Sequence, residues 1–390
     1  MNSFYASVES QVDPALRGVP LGITSTEGDH GACVAASYEA KAFGVKTGTR
    51  VRDARVMCPG IVFRPSRHRL YVRYNLRVAE VLDRHAELYR IRSVDEFQIA
   101  LSGEATELPG LERLVRRMKA AVRDEVGECL RFSAGAGPNH LLAKIAGKLQ
   151  KPDGFRWLDA SNMPGAISHL ALDDLPGIST GMSERLNRAG ITCMEQLCSL
   201  DPRHARRIWN SVEGERFVRA LQCENIPLQD TKSGGIGQSK VLAPEYRSPA
   251  EAYLVARWLV EKACVRLRIN GKTAARFGLS VQTIEGRRWS RAVKSEARQD
   301  THHFLKLNRW LWREAWPAIR GRKLITIGIQ LDETAPISER NGDLLFGLQP
   351  SERHAGELAS RAMDMINERF GDGTIRVGQN APHPGFFEKG

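Results

Sequence analysis

The chain contains no uninterrupted apolar run near the roughly 18 residues that a membrane-spanning helix requires. Its first ten residues, MNSFYASVES, include neither a basic cluster nor a long apolar stretch, so they do not predict a secretory signal peptide. No internal repeat or low-complexity block stands out. With 42% hydrophobic and 26% charged residues, the composition is typical of a globular protein rather than a disordered one. We therefore expect a cytoplasmic protein without a membrane partner.

Cysteine pairs of the kind that bind zinc are also missing. The seven cysteines are scattered and odd in number, and Cys193 with Cys198 alone supplies too few ligands for a metal site. We predict that all seven are reduced thiols, as in a cytoplasmic compartment.

Acidic residues are scarce in one segment, 257–323, which holds 17 Lys and Arg but only five Asp and Glu. The rest of the chain is balanced, with 40 basic and 40 acidic residues, so this segment accounts for the net charge of +12. Such concentrated charge favours a polyanion, above all nucleic acid, over a merely solvated basic surface. A length of 390 residues predicts two to four domains.

Hydrophobic periodicity predicts strands and helices mixed in both halves of the chain, which indicates an α+β fold. Residues 1–10 predict a strand that runs into a helix, and 227–237, polar and with three glycines, predicts a linker. Further predicted strands are 33–38, 89–94, 131–136, 276–283, 287–293 and 324–331. Predicted long helices are 70–88, 111–126, 139–149 and 250–268.

Two adjacent acids, Asp95 and Glu96, follow the alternating segment 89–94. If the backbone turns there, both carboxylates face one small space, and Mg²⁺ favours such hard oxygen ligands together with substrate phosphates. Two-metal phosphoryl transfer needs about three carboxylates placed in this way. Taken alone, the pair is far more typical of a solvated turn than of a metal site.

Lys144, Lys148 and Lys151 recur every three or four residues, near one face of the predicted helix 139–149 and its exit. Such a row suits a triphosphate or a nucleic-acid backbone. It is also what the exposed face of an amphipathic helix looks like, so the row alone leaves both readings open.

The segment 175–178 (LPGI), echoed by Gly190 and Ile191, fits a helix-hairpin-helix. There a glycine such as Gly177 lets backbone N–H groups approach a DNA phosphate without obstruction by a side chain. A plain helical hairpin packed on its neighbours fits equally well.

In this order, the motifs resemble the Y family of translesion DNA polymerases, nearest the bacterial UmuC (polymerase V-type) branch. The ending 151–154 (KPDG) also suits the DinB branch. The matching segments are 2–9 (NSFYASVE), 36–45 (ASYEAKAFGV), 93–96 (SVDE), 133–135 (SAG), 139–154 and 175–178.

The resemblance implies a right-hand polymerase for translesion synthesis in DNA repair and the SOS response. The reaction is template-directed addition of deoxynucleotides to a primer 3′ end with two Mg²⁺ ions. The implied domains are a palm (1–10 and 68–160), fingers (11–67), a helical thumb with a helix-hairpin-helix (161–226), a linker (227–237), a basic little finger (238–350) and a C-terminal extension (351–390).

The resemblance also implies roles for single residues. Asp95 and Glu96 match the catalytic metal ligands, and the main-chain carbonyl of Met1 matches another ligand. Tyr5, with Phe4 beside it, matches the steric gate against the sugar C2′, where a 2′-hydroxyl would lie. Residues matching triphosphate contacts are Tyr38, Lys41 and Lys151. In the basic segment we predict DNA contacts from Arg276, Arg287, Arg288, Arg291 and Lys294, in addition to Gly177 in the hairpin.

The sequence departs from the family pattern at its start. The family's first catalytic Asp lies two residues before the position of Asn2, and that place falls ahead of Met1. One hypothesis is that a short first strand carrying this Asp is missing from the sequence. The other is a non-catalytic relative that acts as a DNA- and clamp-binding adaptor. The first explains why Asp95, Glu96, Tyr5 and Lys151 occur together.

Other departures concern contacts and partners. Lys41 occupies a position where Arg is frequent in the family. A lysine ammonium there acts as a point charge, whereas an arginine guanidinium could form two parallel hydrogen bonds to one phosphate. Leu345 and Phe346 are the part of a sliding-clamp peptide that this chain retains, which predicts a possible clamp site. The UmuC branch implies a recombinase filament and a small regulatory subunit as partners. A helix-hairpin-helix glycosylase or nuclease would explain only 175–191.

Overall fold

In a computed structural model, residues 1–25, 31–227, 234–339, 350–371 and 373–381 are described, with side chains at 350–352 excepted. The chain folds as two compact units, Met1–Asp230 and Thr231–Phe386. Helices and strands occur in both, so the predicted α+β class is confirmed. No helix in these described ranges is long and apolar enough to cross a membrane.

In the first unit, helices surround several small sheets. The helices are α1 (Phe4–Val12), α2 (Tyr38–Ala42), α3 (Val51–Met57), α4 (His68–Asp83), α5 (Leu108–Ala121), α6 (His140–Leu149), α7 (Thr180–Arg188), α8 (Met194–Cys198), α9 (Pro202–Trp209) and α10 (Val212–Leu221). The strands are β1 (Leu21–Thr24), β2 (Cys33–Ala36), β3 (Val62–Pro65), β4 (Leu88–Ser93), β5 (Glu96–Ile99), β6 (Ala134–Ala136) and β7 (Phe155–Trp157). Strands β2, β1 and β3 form one sheet, β4 pairs with β5 antiparallel, and β6 pairs with β7 parallel.

The start of the chain contains the predicted helix but not the strand predicted before it. Helix α1 begins at Phe4, and Phe4, Ala6 and Val8 are all buried. Glu9 is buried as well, so the helix is enclosed on more than one face. Residues 1–3 form no strand, and Ser3 has a φ of 44° where the helix begins.

The second unit is a four-stranded antiparallel sheet covered by helices. Its strands are β8 (Gly235–Val241), β9 (Lys272–Thr283), β10 (Arg288–Arg298) and β11 (Leu324–Pro336), in the spatial order β10-β9-β11-β8. Its helices are α11 (Pro249–Ile269), α12 (Thr301–Ile319) and α13 (Pro350–Phe370). The core lies between one sheet face and helices α11 and α12, with Phe277 and Phe304 fully buried.

One boundary of the second unit differs from the sequence prediction. Strand β8 begins at Gly235, inside the predicted linker 227–237. Residues 377 and 381 of the predicted C-terminal extension pack on α11. Ala381 N donates to the Leu254 carbonyl at 3.3 Å, and Val377 N donates to Glu261 Oε1 at 3.2 Å.

Candidate active site

The hairpin between β4 and β5 presents two acidic side chains at its turn. The Asn75 amide of α4 donates to the Val94 carbonyl at 2.8 Å, and Ser93 Oγ donates to Asp95 Oδ1 at 2.7 Å. These bonds fix the turn, so Asp95 and Glu96 both lie at the wall of one cleft.

Lys144 on α6 lies opposite this hairpin. Its Nζ donates to Glu96 Oε2 at 2.8 Å, with both side chains partly exposed. Burial disfavours the Glu96 carboxylate, but the hydrogen bond and charge of Lys144 outweigh it and lower the pKa of Glu96. Glu96 is therefore ionised at neutral pH and available to a cation.

Residues 1–3 lie between the hairpin and the segment before β6. The Met1 amino group donates to the Asp95 carbonyl, and Asn2 N donates to the Arg131 carbonyl at 2.9 Å. The Asn2 side chain is 4% exposed, donates to Ser133 Oγ at 3.2 Å and accepts from Asp153 N at 3.1 Å. Asn2 thus fixes the loop that follows Lys151.

A group of cations borders the same segment. Tyr38 begins α2, and Lys41 Nζ lies 4.4 Å from the Tyr38 ring centroid and donates to Ser3 Oγ at 2.8 Å. Burial and the nearby Lys151 charge lower the pKa of Lys41. An anion bound here would relieve that repulsion.

The hairpin, α6, β6 and residues 1–2 border a cleft of about 670 Å³ in the first unit, and Tyr38 and Lys41 do not line it. Its polar wall includes Asn2, Asp95, Glu96, His140, Lys144, Lys148 and Lys151, and residues of β5, α5 and β6 form an apolar wall. In the described ranges no cluster of three or more His, Cys, Asp or Glu side chains could hold a metal alone. Asp95 and Glu96 do fit Mg²⁺, which commonly takes one or two carboxylates and completes its shell with phosphates and water.

The two aromatic residues of the start motif have different environments. Phe4 is 3% exposed and packs in the core of the first unit, and neither Phe4 nor Tyr5 lines the cleft. Tyr5 is half-buried, and burial together with the nearby Asp95 charge raises its pKa. Of the pair, Tyr5 is therefore the side chain that lies near the acidic hairpin.

In the helical part of the first unit, Gly177 has a φ of +98° and precedes α7, which begins at Thr180 with Ser179 as its N-cap. A positive φ favours glycine, and the turn brings backbone N–H groups to the start of a helix. This is the local geometry that a helix-hairpin-helix needs to approach a phosphate.

On the second unit, the sheet face away from the helices carries polar and small side chains. Arg288 pairs with Gln282, Ser290 with Ser280, and Lys294 with Arg276. Arg276, Arg287, Arg288 and Lys294 are all exposed. Arg276, Arg288 and Lys294 lie on this open face and Arg287 in the turn before it, so four of the predicted cations remain available to a polyanion.

Arg291 does not lie on that face. Side chains alternate along a strand, so Arg291 points with Trp289 and Val293 towards the helices. It forms an ion pair with Glu314 of α12 at 2.7 Å and lies 5.3 Å from the Trp310 ring centroid. Arg291 therefore lies on the other side of the sheet from Arg276, Arg288 and Lys294, and its predicted DNA contact stays a prediction. Leu345 and Phe346, the predicted clamp residues, lie outside the described residues.

Two family models match the chain, the impB/mucB/samB family over residues 1–148 and its C-terminal domain over 233–344. The DNA polymerase IV of Moorella thermoacetica is 32% identical over 383 residues, covering 96% of this chain and 93% of that protein. The chain belongs to the Y family of DNA polymerases. The DNA polymerase IV of Pelotomaculum thermopropionicum is 28% identical over 381 residues, 96% of this chain and 92% of that protein.

Solved structures agree on the Y-family fold. A Y-family DNA polymerase chimera of Dbh and Dpo4 superposes with a TM-score of 0.72 at 22% identity, covering 86% of this chain and 97% of that one. The relatives' names favour the DinB type, and nothing in the comparisons supports the UmuC branch. They also give no support to the non-catalytic adaptor hypothesis.

Some residues of the Y-family site had no assigned role in the sequence analysis. Asn2 and Ser133 were parts of quoted motifs, yet only the structure shows that they connect the start of the chain to the loop after Lys151. Arg92 was not singled out, and it lines the cleft beside His140. The sequence shows that Asn2 lies in the motif 2–9 close to Phe4 and Tyr5, whereas the burial of Asn2 is seen only in the structure.

Proposed function

We propose that this chain is a template-directed DNA polymerase that adds deoxynucleotides to a primer 3′ end during translesion synthesis. The observation that supports this most strongly lies within the first unit. Asp95 and Glu96 face one cleft whose other walls carry Lys144, Lys148 and Lys151. Phosphoryl transfer needs carboxylates that bind metal ions, and beside them positively charged side chains that bind the phosphates. This cleft provides both.

Asp95 and Glu96 are the proposed ligands of two Mg²⁺ ions, with the Met1 carbonyl as a further ligand. When bound, the ions neutralise charge on the transferred phosphoryl group and the attacking oxygen. Lys144 holds Glu96 at the cleft wall through its 2.8 Å hydrogen bond.

Tyr38, Lys41 and Lys151 are the proposed triphosphate contacts. Lys41 and Lys151 supply charge, and Tyr38 supplies a hydroxyl that accepts from Asn2 at 3.4 Å. Because Lys41 is a point charge rather than a bidentate fork, it holds phosphate with less directional constraint than Arg would. Tyr5 is proposed to contact the sugar and to leave no space for a 2′-hydroxyl.

DNA contacts are proposed on each unit. The backbone at Gly177 would approach a phosphate of the duplex, and Arg276, Arg287, Arg288 and Lys294 would bind phosphates on the sheet face of the second unit. Such contacts are largely independent of sequence and sensitive to salt. A sliding clamp bound through Leu345 and Phe346, a recombinase filament and a small regulatory subunit remain predictions.

Primer extension on a defined template tests this proposal. The chain is compared with its Lys151→Ala and Lys41→Ala variants. We expect incorporation of the templated nucleotide, with the KM for that nucleotide raised about tenfold or more in both variants. An Arg113→Ala variant, on the exposed surface of α5, is the matched control. Incorporation independent of the template base would contradict the proposal.

A further inference from the structure

Tyr5 and Glu9 lie one turn apart on α1, at i and i+4. They contact two residues at the start of α4 that are also four positions apart, Arg67 and Tyr71. Arg67 immediately precedes α4, and Tyr71 lies four residues later. The Tyr71 ring stacks on the Tyr5 ring with centroids 4.3 Å apart and planes 14° apart. The Tyr71 hydroxyl donates to Glu9 Oε1 at 2.8 Å. Tyr71 therefore bridges the two residues of α1.

Glu9 is the buried centre of this arrangement. It is 1% exposed, and besides Tyr71 it accepts from Arg67, whose Nε lies 3.0 Å from Oε1 and whose Nη2 contacts Oε2. A buried carboxylate is costly unless it is paired and hydrogen-bonded, and here both conditions hold. Glu9 does not line the cleft, and the chemistry proposed above gives it no role.

Tyr71 is fully buried, so it contacts no nucleotide directly. What it contributes is one fixed face for the Tyr5 ring, while His68 lies against that ring edge-on with centroids 6.1 Å apart. Displacement of the Tyr71 side chain would break the hydroxyl bond to Glu9 and leave a buried donor unpaired, whereas rotation of the ring about its own axis would not move the hydroxyl oxygen. The hydrogen bond thus limits the positions that the Tyr5 ring can take.

We propose that Glu9 is a positioning residue for sugar selection, acting through Tyr71 on the orientation of Tyr5. This rests on the proposed function, in which Tyr5 contacts the sugar. A gate that excludes one hydroxyl must be held to a fraction of an ångström, because the excluded group is small. The carboxylate fixes the Tyr71 hydroxyl, Tyr71 fixes the Tyr5 ring, and the ring excludes the ribonucleotide.

The test measures the kcat/KM of the full chain for dATP and for ATP opposite template thymine. The variants are Glu9→Ala, Glu9→Gln and Tyr71→Phe. We expect selectivity for dATP to fall about tenfold in Glu9→Ala and to fall in Tyr71→Phe, which keeps the ring but loses the hydroxyl. Glu9→Gln retains an acceptor for Tyr71 and should restore most of the selectivity. Tyr74→Phe, on the same buried face of α4 without a stack on Tyr5, is the matched control.

A merely structural role would lower both efficiencies in parallel and leave their ratio unchanged, and that result would overturn the inference. Equilibrium binding of dATP and ATP to a complex with a dideoxy-terminated primer gives a second readout that needs no turnover. The inference is wrong, and the proposed function stands, if the chain incorporates dATP but the variants keep the unmodified chain's dATP-to-ATP ratio in both kcat/KM and binding. If no chain incorporates but the binding ratio falls in Glu9→Ala and Tyr71→Phe, the inference stands and the proposed activity is wrong.

Discussion

The guanidinium of Arg268 binds the carboxylate of Asp364 through two hydrogen bonds, Nε to Oδ2 at 2.6 Å and Nη2 to Oδ1 at 2.7 Å. The Arg268 side chain is only 7% exposed, and its remaining Nη1 donates to the Gln299 carbonyl and to Thr301 Oγ1. This pair joins α11 to α13, which follows the segment matched by the family's C-terminal domain model. The C-terminal helix is therefore an integral part of the second unit.

Replacing Asp364 by Ala should destabilise the second unit by about 3 kcal/mol, because it leaves a nearly buried guanidinium without its counter-charge. Urea unfolding monitored by tryptophan fluorescence measures the change, and limited proteolysis should show earlier cleavage within α13. Glu368→Gln, on an exposed position of the same helix, is the control. Equal stability of the two variants would show that the ion pair does not hold α13.

Acid should weaken the second unit through His303. Burial, aided by Arg298, lowers the pKa of His303 from 6.5 to about 4, and Nε2 has no hydrogen-bond partner among the described residues. Since the unfolded chain takes up this proton first, the stability contributed by neutral His303 is complete above about pH 6.5 and is lost as pH falls towards 4.

Unfolding free energies at pH 7 and pH 5 test this directly. His303→Gln should reduce the loss of stability between the two pH values by about 1 kcal/mol, after allowance for partial exposure. The adjacent and exposed His302→Gln should leave the loss unchanged. A pH dependence identical in both variants would contradict the assignment to His303.

Asn308 is fully buried in α12, and neither polar atom of its amide has a hydrogen-bond partner among the described residues. An unpaired buried amide costs about 1–3 kcal/mol, so Asn308→Leu should raise the free energy of unfolding by about 1 kcal/mol. The increase in stability is measured as a rise in the midpoint of urea unfolding, with the dependence of the unfolding free energy on urea concentration unchanged. A loss of similar size would reveal a polar partner, such as an enclosed water, at that position.

The open face of the second unit should contribute to DNA affinity through charge. Arg288→Ala and Lys294→Ala should each weaken binding to a primer–template duplex and lower the slope of log K against log salt by about 1. Arg291→Ala should leave the slope unchanged, because Arg291 points towards α12 and pairs with Glu314. Fluorescence anisotropy across a salt series separates the three variants, and an equal loss in all of them would contradict the assignment of faces.

Much of the fold could be predicted from the sequence wherever a local pattern determines the structure. The predicted helix 139–149 is α6 within one residue at its start, since Asn139 caps it and its amide oxygen accepts from Leu142 N. The sequence also predicts strand β10. It does not show on which face of the sheet each basic side chain lies, because that depends on which face the helices cover. Trp312 and Trp316 have the same helical spacing, yet the first is 7% exposed and the second 48%.

In the candidate site, too, neighbouring residues could be predicted from the sequence and contacts between distant residues could not. The adjacency of Asp95 and Glu96 can be predicted from the chain, whereas the contact of Lys144 with Glu96 spans 48 positions and depends on packing. Tyr71 was placed in a helix by its periodicity, but its stack on Tyr5 and its bond to Glu9 required two helices to be brought together. Burial likewise separates Phe4 from Tyr5, which no local pattern distinguishes.

The central claim is that Asp95 and Glu96 form the metal-dependent centre of a DNA polymerase. Its most direct test is the rate of single-nucleotide incorporation with Mg²⁺ by the chain, compared with its Asp95→Asn variant. Asp124→Asn, on the exposed surface of the same unit, is the control. We predict that Asp95→Asn lowers the rate at least about a hundredfold while duplex affinity is retained. Incorporation at an undiminished rate in Asp95→Asn would contradict this account of the site.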